Sequence, residues 1–133
     1  PILVEINYRS IGDGREFLLD KLLSFNWFEK IISLHAGVAL NQVDISSKSA
    51  LIQYFPNVVD GLLAKSYQPF ETQRKTTNIA YHSFKKEGQH LTVSHSNKDY
   101  LGMLTAIGDT INSIQKEVDE IAKQLSWEIT YAR

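Results

Sequence analysis

Four histidines (His35, His82, His90, His95) and a proline at position 1 are the residues best suited to chemistry in this cysteine-free chain. An imidazole changes charge near neutral pH and can act as acid, base or metal ligand. Three of the four histidines fall between residues 82 and 95. The flanking stretches, Ile79 to Phe84 and Leu91 to His95, are rich in aromatic and β-branched residues, and Lys85-Lys86-Glu87-Gly88-Gln89 joins them. That pattern predicts a β-hairpin with Gly88 in the left-handed conformation. With Glu87-Gly88 as the central turn residues, His82 pairs with Val93 on the face that also holds His95. A four-residue loop sets His82 directly opposite His95. Either register brings two imidazoles within reach of each other. Metal ligation normally needs a third protein ligand, and none can be placed, so no metal or other cofactor is expected. The structural alternative is a pair of surface histidines on the open face of a sheet.

Pro1 offers a second chemistry. A free N-terminal proline carries a secondary amine, which serves as a general base when its pKa is depressed. Pro1-Ile2-Leu3-Val4 resembles the opening of the tautomerase superfamily, whose members begin with proline on an apolar strand. The resemblance covers little more than those residues, and it implies Pro1 as the catalytic base. His90-Leu91-Thr92-Val93 is similar to the His-apolar-Thr-apolar signature of the two-histidine phosphoesterases. That family carries the signature twice, and the second copy is missing here. No Walker loop, dinucleotide-binding glycine pattern, nucleophile elbow or two-histidine zinc helix is present.

Charge narrows the partners. The 133 residues carry 14 basic and 15 acidic side chains, for a formal net charge of −1. A dedicated nucleic-acid binder is usually strongly basic, so that class loses weight. Arg74, Lys75, Lys85 and Lys86 make one local basic cluster near Tyr67, Tyr81 and Phe84. Such a cluster suits RNA on an aromatic sheet face, or simply guards a hairpin tip against edge pairing. Acidic groups gather late in the chain, with Asp109, Glu117, Asp119 and Glu120 close together. They make either a solvated helix face or a docking surface for a basic partner. The absence of cysteine excludes disulfide scaffolds, thiolate catalysis and Cys-ligated zinc.

Ile2, Val4, Ile6 and Tyr8 alternate with Leu3, Glu5, Asn7 and Arg9, the period of a strand over 2–9. Ile11-Gly12-Asp13-Gly14 predicts a turn, with Asp13 placed to cap the helix that follows. That helix carries Phe17, Leu18, Leu22, Leu23 and Phe25. A second helical piece over 26–34 carries Trp27, Phe28, Ile31 and Ile32, and Gly37 stops it. Residues 38–45 fit either a short strand or a turn of helix. Helices are expected from Ser46 to Tyr54 and again from Pro56, with Val58, Val59, Leu62 and Leu63 as the second one's apolar face. Residues 68–77 are polar and read as loop. Ser96 and Asp99 resemble a capping box opening a long helix over about 98–125. Its stripe is Leu101, Leu104, Ile107, Ile111, Ile114, Val118, Ile121 and Leu125. Gly102 and Gly108 each cost such a helix about 1 kcal/mol against Ala, and can mark close packing or a break. Trp127, Ile129 and Tyr131 alternate as a final strand.

The order β-α(α)-β-β-α-β predicts an α+β domain spanning 1–133 with a mainly antiparallel sheet and helices on one face. This is the split βαβ, ferredoxin-like arrangement with a helical insertion. Such a fold hosts many functions and decides none. The N-terminus opens directly on strand-like residues and no apolar run approaches the ~20 needed to span a bilayer, so a cytoplasmic protein without membrane contact is expected. The leading functional expectation is a non-catalytic protein-binding module. Immunity- or antitoxin-type inhibitors, which neutralise a partner toxin such as a nuclease, are of this physical type: small, cysteine-poor, near neutral and free of catalytic motifs. The partner would be a basic protein meeting Asp13, Asp109, Glu117 and Glu120. The alternatives are a small enzyme using Pro1, His82 or His95, and an RNA-binding module using the basic hairpin.

Overall fold

A computed structural model describes residues 12–23, 25–39 and 46–131. The expected strand over 2–9, Pro1 and most of the ambiguous 38–45 segment lie outside them. The chain divides into two compact units with the boundary between Ser47 and Lys48.

The first unit contains α1 (Arg15–Leu22) and α2 (Trp27–His35), both where the apolar spacing predicts them. Asp13 does not cap α1. The N-cap is Gly14, with φ 78° and no side-chain cap, because Asp13 is itself left-handed at φ 59°. Glu16 instead reaches back to accept from the Gly12 amide. Asn26 caps α2 by accepting from Glu29 N at 2.9 Å. The stop at Gly37 is observed: Gly37 N donates to Leu34 O and Val38 N to Ser33 O, the paired bonds of a Schellman motif.

The second unit is built on a four-stranded antiparallel sheet. Its strands are β1 (Ser49–Pro56), β3 (Phe70–Arg74), β4 (Thr77–Ser83) and β6 (Tyr100–Gly108), in the spatial order β1-β6-β4-β3. A smaller antiparallel sheet of order β5-β2-β7 joins β2 (Gly61–Lys65), β5 (His90–Leu91) and β7 (Glu128–Thr130). One helix, α3 (Ile111–Ala122), lies on the larger sheet, burying Ile114, Val118 and Ile121 against Ile79, Tyr81, Leu104 and Ala106. A second cluster joins Leu63, Leu91 and Leu101, and Trp127 packs against both. The α+β class and the antiparallel sheet are those read from the sequence.

Several elements differ from expectation for identifiable reasons. The expected helix over 98–125 is two elements, β6 and α3, joined at Asp109-Thr110. The strand β6 is covered on both faces, so its odd and even positions are both apolar, and three of them fall at helical spacing. The capping box at Ser96 and Asp99 is real, but it closes a three-residue 3-10 turn, Asn97–Asp99. The segments read as helices from Ser46 and Pro56 hold β1 and β2, and part of the polar 68–77 stretch is the edge strand β3. The expected hairpin of 79–84 with 91–95 does not form. β4 pairs with β3 and β6, while β5 pairs with β2. Gly88 is left-handed as expected (φ 82°), but its loop docks on β2, through Gly88 N to Leu63 O at 2.8 Å and Leu63 N to Gln89 O at 3.0 Å.

Gly102 fixes how closely β4 and β6 approach. A Cβ there would sit 2.5 Å from Tyr81 Oη and 2.7 Å from His82 O, so the Tyr81 ring lies over β6 only because the side chain is missing. The ring is 1% exposed and stacks on Phe70 at 5.5 Å. Burial raises the Tyr81 phenol above its ordinary pKa, tempered by the nearby Ser83 hydroxyl and Trp127 indole. Neither neighbour meets hydrogen-bond geometry: Tyr81 Oη and Trp127 Nε1 are both buried without a partner, and Ser83 Oγ donates to Lys85 O at 2.8 Å.

Gly102→Ala must displace backbone as well as a ring, and should lower unfolding free energy by about 1–3 kcal/mol. Tyr81→Phe removes an unsatisfied hydroxyl and should change it by less than about 1 kcal/mol in either direction, whereas Tyr81→Ala should cost about 3–5 kcal/mol. Urea denaturation of the three variants measures all of this. A Gly102→Ala protein as stable as the parent would refute the close approach.

Candidate functional site

The loop from Thr92 to Asp99 places His95 on the lining of a cavity. Val93 N donates to Asp60 Oδ1 at 2.7 Å, fixing the start of the loop to the turn before β2. Asp99, only 8% exposed, then gathers the loop around its carboxylate. It accepts from Ser94 N at 3.0 and 2.9 Å, from Ser94 Oγ at 2.7 Å and from Ser96 N at 3.2 Å. Ser94 Oγ and Ser96 Oγ lie 2.8 Å apart. His95, between them, is left-handed at φ 55°, a conformation costly for a residue with a Cβ and held here by its neighbours. Asn57, at the end of β1, donates its amide to Asp99 O at 2.8 Å and its side chain to Val59 O at 2.7 Å. Between these segments lies a cavity of about 460 Å³, lined by Pro56, Asn57, His95, Ser96, Asp99 and Tyr100 among others. Tyr100 stacks on Tyr54 with ring centroids 4.5 Å apart.

The electrostatics describe a brace. The bonds from Ser94 and Ser96 hold the Asp99 carboxyl below its ordinary pKa, led by the Ser94 hydroxyl. A carboxylate stabilised in this way is a poor base. Its oxygens are engaged by Ser94 and Ser96, and no bond from Asp99 to the His95 ring completes a Ser-His-Asp relay. The arrangement rigidifies a cavity rim.

The other candidates are dispersed. His82 stands on the exposed side of β4, with Nε2 3.3 Å from Thr105 Oγ1 on β6. His82 and His95 are on segments that do not pair. Asp109 is ion-paired with Lys48. Glu117 and Glu120 line a cleft of about 360 Å³ on α3, opposite Arg74 and Lys75 of the β3–β4 turn and beside Lys116. One oxygen of Glu117 is shielded there without a hydrogen-bond partner. Asp13 is exposed at the entry to α1 in the other unit. The basic cluster is split: Arg74 and Lys75 precede β4, whereas Lys85 and Lys86 follow it, some 20 Å away at roughly 3.3 Å per strand residue. Among the described residues, no group of three or more His, Asp or Glu could hold a metal. None of the described helices is long and apolar enough to cross a membrane.

What the sequence reading missed lies in the first unit. Phe17 (65% exposed), Ile32 (69%), Val38 (56%) and Leu34 (49%) are on the surface, and Phe28 is partly so. The Phe17 and Phe28 rings meet at 5.5 Å. None of the nine residues of α2 is buried. The signal was present: Trp27, Phe28, Ile31, Ile32 and Leu34 are more apolar side chains than one face of a nine-residue helix can bury. Comparison with known protein families, curated proteins and solved structures gives no significant match.

The Asp99 brace has a pH signature. Its folded pKa is depressed, so its contribution is present above the unfolded carboxyl pKa of about 3.9 and is lost as pH falls through that value toward the folded one. Asp99→Asn should therefore be less stable than the parent at pH 7, with the difference closing below about pH 4. Thermal unfolding of both proteins from pH 3 to 7 tests this; a constant gap would show that the carboxylate charge is not what holds the loop.

Proposed function

We propose that this chain works by binding another protein. The apolar surface of α1 and α2 carries the reading. Phe17, Phe28, Ile32 and Leu34 expose side chains that each release about 1.5–3 kcal/mol when fully withdrawn from water. Clustered exposed apolar groups mark interaction surfaces in folded proteins. The acidic residues offer no comparable patch, because Asp109 is engaged by Lys48, while Glu117 and Glu120 share their cleft with Arg74, Lys75 and Lys116. In this reading the apolar groups supply affinity, and Glu117, Glu120 and Asp13 tune the approach of a basic partner.

The narrower form is an immunity- or antitoxin-type inhibitor that neutralises a toxin by direct binding. It is supported by the near-neutral, cysteine-free composition and the absence of a catalytic motif, together with an Asp99 cluster built as a brace. Its partner would be an enzyme that loses activity in the complex.

The test is co-purification of the tagged chain from its native cells at two salt concentrations, identification of any stoichiometric protein, and reconstitution of the pair. Ile32→Glu and Phe17→Glu should each weaken the reconstituted complex at least tenfold, about 1.4 kcal/mol, while leaving unfolding midpoints unchanged, since both side chains are exposed. Charge reversal at Glu117 and Glu120 should act mainly on the association rate and its salt dependence. Full affinity in both apolar variants would remove α1–α2 from the interface. An intact toxin activity in the complex would eliminate the inhibitor form and leave the binding one.

A further inference from the structure

We draw no further inference here: the strongest candidate, the uncharged strand β1 at the rim of the four-stranded sheet, carries nothing because the described residues do not show what covers its outer edge.

Discussion

The second unit depends on β6 being packed on every side. β1 and β4 bond to its two edges, α3 closes one face over Leu104 and Ala106, and Met103 and Thr105 are buried on the other. Leu101, at its start, belongs to the second apolar cluster with Leu63 and Leu91. One strand therefore anchors both cores. A strand so enclosed has no position that tolerates charge, and from Tyr100 to Gly108 it has none.

Around it the aromatic residues divide the work. Tyr81 crosses the glycine gap in β6, Phe70 stacks on it, and Phe55 and Tyr67 meet Trp127 at 4.8 and 5.8 Å. Tyr67 keeps its hydroxyl satisfied by donating to Gln124 O at 3.2 Å and accepting from Ser126 N at 3.0 Å. These bonds tie the chain after α3 to the segment before β3 and fix the approach to β7. The Asp99 brace does the same for the approach to β6. In both places polar groups position backbone, while dispersion and burial supply the cohesion.

Legibility followed how many faces an element buries. α1, α2 and β7 each have a wet side, and their periodicity identified them. Gly37, Gly88 and the Ser96–Asp99 capping box were readable because they are local chemistry. β6 was not, since a strand covered on both sides spells a continuous apolar run, and Leu101, Leu104 and Ile107 happen to fall at helical intervals. The apparent hairpin failed for another reason: the partners of β4 and β5 are remote in sequence, and no local turn signal reports a remote partner. The same blindness hid the separation of His82 from His95 and of Arg74 from Lys85. The surplus of apolar residues on α2 was visible, but it read as core because exposure belongs to the fold and not to the residue.

The order of strands also sets how the second unit can be assembled. β2 finds its neighbour β7 only across a span of 68 residues, as the bond from Thr130 to Leu62 records. β1 waits similarly for β6. Closing such long loops costs entropy before any contact repays it, which slows the folding of the unit. The helical hairpin of the first unit, made of neighbours in sequence, can form on a far shorter timescale. During synthesis, β1 and β2 would leave the ribosome well before the strands that cover them. In that interval their apolar side chains are exposed to chaperones and to one another, so kinetics as well as equilibrium stability governs the yield of native protein.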